Sequence, residues 1–143
     1  MKSDTSPPPI LIVDDNEDDV LLLSRRLKAA GVKNPLVHFR TGGDAFLYLK
    51  ELCAPTPPRA LPLLMFLDIN MQGLSGFDVL LWTRQQQPLA PMKIFMMSGA
   101  NEEFDAQIAT KLGADEFLAK FPATAELAGL LAPLFGSPSS SAR

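Results

Sequence analysis

Short, continuous apolar runs recur along this chain, and each of them ends on a polar residue. The four runs cover residues 10–13, 63–67, 94–97 and 117–119, and they end on Asp14-Asp15, Asp68, Ser98 and Lys120 in turn. Such runs are typical of parallel strands that are buried on both faces. Because ligands bind at the carboxyl ends of the strands in an open α/β sheet, we expect these polar groups to converge. Together they suit a divalent cation beside a phosphoryl group.

Helical periodicity fills the intervals between the apolar runs. Phe104, Ile108 and Leu112, at a spacing of four, indicate a helix that ends at Gly113. The whole pattern predicts strands over about 10–14, 35–40, 63–68, 93–98 and 115–119, and helices over about 17–30, 42–53, 77–87, 104–112 and 124–135.

The alternation of strands and helices predicts the fold class. Five strand–helix units with right-handed crossovers give an α/β, three-layer sandwich of the flavodoxin-like type. Its parallel sheet has the order 2-1-3-4-5, with helices on both faces, so that strands one and three are neighbours. We therefore expect Asp14, Asp15 and Asp68 to lie side by side at one edge of the sheet.

Composition and charge narrow the class of protein. The chain has 143 residues, 47% of them apolar, which is enough for one well-packed core. A net charge of −3 with scattered Lys and Arg residues argues against nucleic acid as a partner. Cys53 is the only cysteine, and no apolar run is long enough for a signal peptide or a membrane span. We expect a soluble, cytoplasmic protein without a membrane partner.

Two terminal segments and one internal segment have the composition of irregular structure. Residues 1–9 are polar and rich in proline, and residues 136–143 are rich in serine, which predicts a disordered leader and tail around a domain over 10–135. Four prolines within residues 54–62 predict a long loop before the third strand.

The residues at the strand ends also carry a family resemblance. The motifs are Val13-Asp14-Asp15, Leu67-Asp68-Ile69-Asn70-Met71, Met97-Ser98-Gly99-Ala100 and Phe117-Leu118-Ala119-Lys120. In this order and at this spacing they resemble the CheY-like receiver domain of two-component response regulators. The long loop before strand three, Asn34-Pro35 and the set Leu80, Trp82 and Arg84 also resemble a standalone subgroup that is associated with phytochrome-type and other sensor kinases.

The resemblance implies a phosphoryl acceptor and a metal site. Asp68 would accept a phosphoryl group from phosphohistidine and would also bind Mg²⁺. Asp15 and the backbone carbonyl of Asn70 would be the other direct ligands, and Asp14 would act through water. Repulsion among three carboxylates packed together without a cation would raise the pKa of at least one of them. Both the metal and Lys120 are therefore needed to balance their negative charge.

Three further roles follow from the resemblance. Lys120 would pair with Asp68 before the reaction and with a phosphoryl oxygen afterwards. Ser98 would donate its hydroxyl to the phosphoryl group. Phe117 corresponds to an aromatic switch that turns inward when the Ser or Thr moves, although an ordinary core residue of an edge strand explains it equally well.

The implied partners are proteins. A histidine kinase or a histidine phosphotransfer protein would donate the phosphoryl group, and a downstream protein would receive the signal. We expect no attached output domain after residue 135, so the signal would leave through residues 101–135, by contact with a partner or with a second copy in a homodimer. Such a protein catalyses only its own phosphorylation and dephosphorylation and is not otherwise an enzyme.

Two other functions compete with this interpretation. Haloacid-dehalogenase-type phosphatases use a similar chemical set, but they need an Asp-x-Asp motif, whereas Asn16 and Asn70 stand where a second aspartate would be. The chain also lacks a cap insertion. A pseudo-receiver that works without phosphorylation is the other alternative, and the intact acidic set argues against it.

Two positions depart from the family pattern. Gln72 stands where proline commonly follows the Asp-x-x-Met turn, which predicts a less rigid loop. Lys120 is followed by Phe121-Pro122, whereas the family usually has Lys-Pro with a cis bond. A cis bond before Phe121 would cost about 3 kcal/mol instead of ~0.5–1 kcal/mol for a bond before proline. On this energy alone we expect a trans bond.

Overall fold

The computed structural model describes residues 7–99 and 103–135. The strands are β1 (Ile10–Val13), β2 (Leu36–Phe39), β3 (Leu64–Asp68), β4 (Lys93–Ser98) and β5 (Glu116–Ala119). The helices are α1 (Glu17–Ala29), α2 (Gly42–Glu51), α3 (Gly76–Arg84), α4 (Glu103–Leu112) and α5 (Thr124–Leu131), with short 3₁₀ helices at Gln87–Leu89 and Ala132–Phe135. The predicted tail, most of the predicted leader and Ala100 lie outside the described residues.

The strands form one parallel sheet in the order β2-β1-β3-β4-β5, which confirms the predicted fold class. In the β1–β3 pair, Val13 is in register with Leu67. The residues that follow, Asp14 and Asp68, therefore leave the sheet side by side. On the other side of β3, Asp68 is in register with Met97, the residue before Ser98.

The core consists of two layers, one on each face of the sheet. Alternate strand residues such as Leu11, Val13 and Met65 pack with buried residues of α2, α3 and α4. The intervening residues, such as Ile12 and Phe66, pack with buried residues of α1 and α5. Because both faces are covered, β1 and β3 are buried along their whole length, which is why they appear as continuous apolar runs in the sequence.

Several helices differ in detail from the prediction. The helix predicted over 77–87 ends at Arg84, and a 3₁₀ helix containing Pro88 follows it, since proline cannot donate a backbone hydrogen bond to continue an α-helix. In α4, Phe104 is 69% exposed and Ala109 is fully buried. Of the predicted stripe, Phe104 thus faces solvent, whereas Leu112 is partly buried and packs against the core cluster that contains Ala109.

The peptide bond between Lys120 and Phe121 is cis, so the expectation of a trans bond is wrong. That expectation counted only the intrinsic energy of the bond. In the folded protein the Lys120 amide donates to the Ser98 carbonyl at 2.8 Å. Arg26 Nη1 donates to the carbonyls of Phe121 and Pro122 at 3.1 and 3.0 Å. These long-range contacts fix the path of the loop, and the local sequence does not reveal them.

Within residues 7–99 and 103–135, no helix combines the length and the apolar character that crossing a membrane requires.

Candidate functional site

Three carboxylates meet at the edge of the sheet, at the ends of β1 and β3. Oxygen atoms of Asp14, Asp15 and Asp68 all lie within 4.8 Å of one another. Asp14 and Asp68 are buried, at 1% and 4% exposure, while Asp15 is exposed to solvent. The predicted neighbours are therefore neighbours in the structure, and one of them is open to an ion arriving from solution.

The Lys120 ammonium lies at the centre of this acidic group. Its Nζ is 2.8 Å from Asp14 Oδ2, 2.9 Å from Asp19 Oδ2 and 3.1 Å from Asp68 Oδ1. The predicted contact with Asp68 is present. Two of the three partners, Asp14 and Asp19, were not expected from the sequence, where Asp19 appears only as an acidic residue in the first turn of a helix.

Asp14 is held on both of its oxygens. Asp14 Oδ1 accepts a hydrogen bond from the backbone amide of Asn16 at 2.9 Å, while Oδ2 pairs with Lys120. Asn16 is the N-cap of α1, so the start of this helix is tied to the carboxylate that precedes it. Both oxygens of Asp14 therefore have a partner, and its contact with an ion through water stays a prediction.

Burial controls the charge state of Asp68. Burial and the nearby negative charge of Asp14 raise the pKa of Asp68 to about 6, and Lys120 only partly offsets them. Burial lowers the pKa of Lys120, but hydrogen bonds to Asp14 and Asp19 outweigh it and raise this pKa above its ordinary value. Lys120 therefore keeps its positive charge. The positive charge near Asp68 is too small to cancel the effects of burial and of Asp14 on its pKa.

The loop after Asp68 is forced to fold back close to the strand. The amide of Ile69 donates to the Met97 carbonyl, and the amide of Gly76 donates to the Ile69 carbonyl, both at 3.0 Å. A Cβ atom at Gly76 would lie 2.2 Å from the Asp68 backbone oxygen, so only glycine fits there. Asn70, whose carbonyl is a predicted metal ligand, is exposed at the start of this loop.

Ser98 and Phe117 lie on the two strands beyond Asp68. Ser98 ends β4, is buried, and accepts the Lys120 amide on its carbonyl. Its position, one residue beyond the register partner of Asp68, keeps it at the edge where the carboxylates meet. Phe117 is half-buried and packs against the core layer formed with α2, α3 and α4. Its role as a switch stays a prediction.

The chemistry of the donor set fits Mg²⁺. This ion takes oxygen ligands and keeps several waters, so that a site with a few carboxylates and an open side suits it. The described carboxylates supply such oxygens, and the exposed Asp15 leaves a path for entry.

The amino-acid sequence matches the response regulator receiver domain family over residues 10–132. The chain belongs to this family. The assignment confirms the resemblance carried by the strand-end motifs and goes against the phosphatase alternative, for which the second aspartate is also missing.

Two curated relatives are transcriptional regulators. The chain is 39% identical over 57 residues to the transcriptional regulatory protein GltR of Pseudomonas aeruginosa. The aligned region covers 40% of this chain and 24% of that protein. It is 37% identical over 59 residues to the alkaline phosphatase synthesis transcriptional regulatory protein PhoP of Bacillus subtilis, covering 41% of this chain and 24% of that protein. The match thus spans about a quarter of the length of these relatives.

Solved structures with the same fold include phytochrome-associated response regulators. The bacteriophytochrome response regulators AtBRR and RtBRR are each 25% identical with a TM-score of 0.75. The alignments cover 90% of this chain and 92% of AtBRR, and 89% of this chain and 77% of RtBRR. The Mn²⁺-bound response regulator Rcp1 is 22% identical with a TM-score of 0.72, over 96% of this chain and 98% of Rcp1, and shows the fold alone.

Proposed function

We propose that this receiver domain is the phosphoacceptor of a two-component or phosphorelay system. Asp68 takes a phosphoryl group from a phosphohistidine of a histidine kinase or a histidine phosphotransfer protein. The observation that carries the proposal is the contact of 3.1 Å between Asp68 Oδ1 and Lys120 Nζ, at the edge where the other carboxylates converge. A cation that touches the acceptor can also balance the charge of the transferred group.

The reaction exchanges one bond for another on phosphorus. An oxygen of Asp68 attacks the phosphorus atom, the bond from phosphorus to the imidazole nitrogen breaks, and its electron pair returns to the ring. Lys120 then turns from the Asp68 carboxylate to a phosphoryl oxygen, and the Ser98 hydroxyl donates to another. The acceptor is ionised near neutral pH, since its pKa is about 6, and needs no general base.

Asp15, Asp68 and the carbonyl of Asn70 would bind Mg²⁺ directly, and Asp14 would bind it through water. When bound, the ion would supply positive charge that gathers the phosphoryl oxygens and offsets the carboxylates. The grouping of Asp14, Asp15 and Asp68 within 4.8 Å supports this assignment.

The partners of the proposed function are proteins. The phosphoryl donor approaches the exposed side of the site near Asp15, and the signal passes to a downstream protein through the face around residues 101–135, to which a second copy can also bind. We propose a cytoplasmic location, because a chain with a single cysteine needs no internal disulfide and suits a reducing compartment.

The test is intact-mass spectrometry of the full chain after incubation with phosphoramidate or acetyl phosphate. We expect a gain of one phosphoryl mass in the presence of Mg²⁺ and none when the metal is chelated. A chain that binds Mg²⁺ but never gains this mass, with either donor, would be a pseudo-receiver instead.

A further inference from the structure

Asp19 is an acidic residue of the site for which the proposed phosphoryl chemistry has no role. Its Oδ2 lies 2.9 Å from Lys120 Nζ, closer than the 3.1 Å between the same ammonium and the acceptor Asp68. Unlike the other carboxylates, Asp19 comes from a helix and not from the end of a strand. The first turn of α1 therefore brings Asp19 to the site.

The backbone of α1 fixes the position of Asp19. Its amide donates to the N-cap side chain of Asn16 at 3.0 Å, and the Asn16 amide donates to Asp14. The Asp19 and Lys120 side chains are 25% and 9% exposed. A hydrogen-bonded ion pair that is shielded to this degree is screened less by solvent than a surface pair is.

An ammonium has only three hydrogens to donate. In this structure three carboxylates surround Lys120 Nζ within 3.1 Å. A phosphoryl group on Asp68 must therefore draw Lys120 toward itself against the hold of Asp19. The negative charge of Asp19 also opposes the entry of an anionic group into the site.

We propose that Asp19 is a positioning residue that restrains Lys120 and weakens its contact with the phosphoryl group. The inference rests on the proposed function. Removing the Asp19 charge leaves Lys120 with Asp14 and Asp68 and strengthens the binding of a phosphoryl group or its mimic. A different explanation is that Asp19 only stabilises the start of α1, where acidic side chains are favourable. Asp18, which is exposed on the same turn, tests that explanation directly.

The first experiment measures the affinity of beryllofluoride for the full chain in saturating Mg²⁺, by calorimetry. We expect Asp19→Asn to bind the mimic about five- to tenfold more tightly than the wild type, because the competition for Lys120 is relieved. Asp18→Asn removes the same charge from an exposed position, so its affinity stays within about twofold. An affinity of Asp19→Asn that is equal to or weaker than that of Asp18→Asn overturns the inference.

The second experiment measures thermal unfolding without metal or mimic. In a double-mutant cycle of Asp19→Asn and Lys120→Met, we expect the Tm shift of the double variant to differ from the sum of the two single shifts by about 2–4 °C. In the cycle of Asp18→Asn and Lys120→Met, the single shifts should add. Additive shifts in the first cycle also contradict the inference.

Wild-type protein that does not bind beryllofluoride defeats the proposed function and the inference together, whereas normal wild-type binding with an unaltered Asp19→Asn affinity defeats the inference alone.

Discussion

Asp68 and Lys120 lie 3.1 Å apart at the edge of the sheet, yet the attraction between them does not set the pKa of Asp68. Burial and the charge of Asp14 prevail and raise this pKa to about 6. Lys120 divides its charge among three carboxylates, so each receives only part of it. Without a metal, the ionised Asp68 carboxylate is therefore a source of instability near neutral pH.

This excess of negative charge predicts a pH-dependent effect of Asp68→Asn. Between the ordinary pKa of 3.8 and the folded value of about 6, the folded protein keeps a proton that the unfolded chain has lost. The stability therefore falls as the pH rises through this window and stays lower above it. Without metal, Asp68→Asn should raise the free energy of unfolding by about 1 kcal/mol at about pH 8, and by less at about pH 5.

Urea unfolding at both pH values, with Asp44→Asn as an exposed control, measures this effect. Because Mg²⁺ bound at the proposed site would offset the charge of this carboxylate, saturating Mg²⁺ should reduce or reverse the difference. A metal-free Asp68→Asn protein that is less stable than the wild type at the higher pH would contradict the charge balance described above.

Asp15→Ala should weaken Mg²⁺ binding by about tenfold or more, since it removes one ligand and one negative charge. Isothermal titration of the metal measures the change, and Asp18→Ala, which removes an exposed carboxylate from the nearby first turn of α1, is the matched control. Equal affinities in the two variants would place the metal elsewhere.

Asp68→Asn should abolish the phosphoryl gain described above, because the amide cannot replace the carboxylate as nucleophile. In the wild type, one phosphoryl group should be added, and it should be lost in base, as expected of an acyl phosphate. Asp18→Asn should be labelled like the wild type. Continued labelling of Asp68→Asn in intact-mass spectra would mean that another side chain is the acceptor.

The sequence predicted the residues that the backbone topology brings together. Strands buried on both faces are recognisable as apolar runs, and the strand order then determines which strand ends are adjacent. This is why the proximity of Asp14, Asp15 and Asp68, and the contact of Lys120 with Asp68, could be expected. Asp14, Asp68 and Lys120 each lie directly after an apolar run, and Asp15 follows Asp14.

The contacts that were missed depend on the paths of loops and on side-chain reach. Asp19 meets Lys120 directly before a loop segment whose path Arg26 holds by two long-range hydrogen bonds. A signal for Asp19 was nevertheless available, because it lies in the first turn of the helix that directly follows Asp15. The exposure of Phe104 was not predictable from spacing, since Ala109, which lies off the predicted stripe, is the buried residue of α4.

Arg84 should make a large contribution to stability away from the site. It donates to the Gly113 and Met92 carbonyls at 2.8 and 3.0 Å and pairs with Asp115 at 2.8 Å, which ties the end of α3 to the segments before β4 and β5. A lysine cannot reproduce this fork of donors. Arg84→Lys should lower the free energy of unfolding by about 1–3 kcal/mol. Chemical denaturation, with the exposed Arg25→Lys as control, measures the loss, and similar stabilities in the two variants would contradict it.

The last prediction concerns how phosphorylation reaches the face around residues 101–135. The Lys120 amide donates to the Ser98 carbonyl at 2.8 Å, so the last residue of β4 is linked directly to the residue that follows β5. A phosphoryl group that draws in the Ser98 hydroxyl would therefore shift both strand ends and the segments that follow them. Packed elements of this kind change between discrete arrangements instead of deforming gradually.

Beryllofluoride with Mg²⁺ should accordingly change amide exchange over residues 98–122 more than in α1 or α2. Hydrogen–deuterium exchange followed by mass spectrometry, with and without the mimic, measures the change. Ser98→Ala lacks the hydroxyl but keeps the backbone contact with Lys120, so under saturating mimic it should show a smaller change over the same residues. Exchange that alters only in α1 and α2 would mean that the signal leaves by another face. An equal response in Ser98→Ala would mean that the hydroxyl does not carry it.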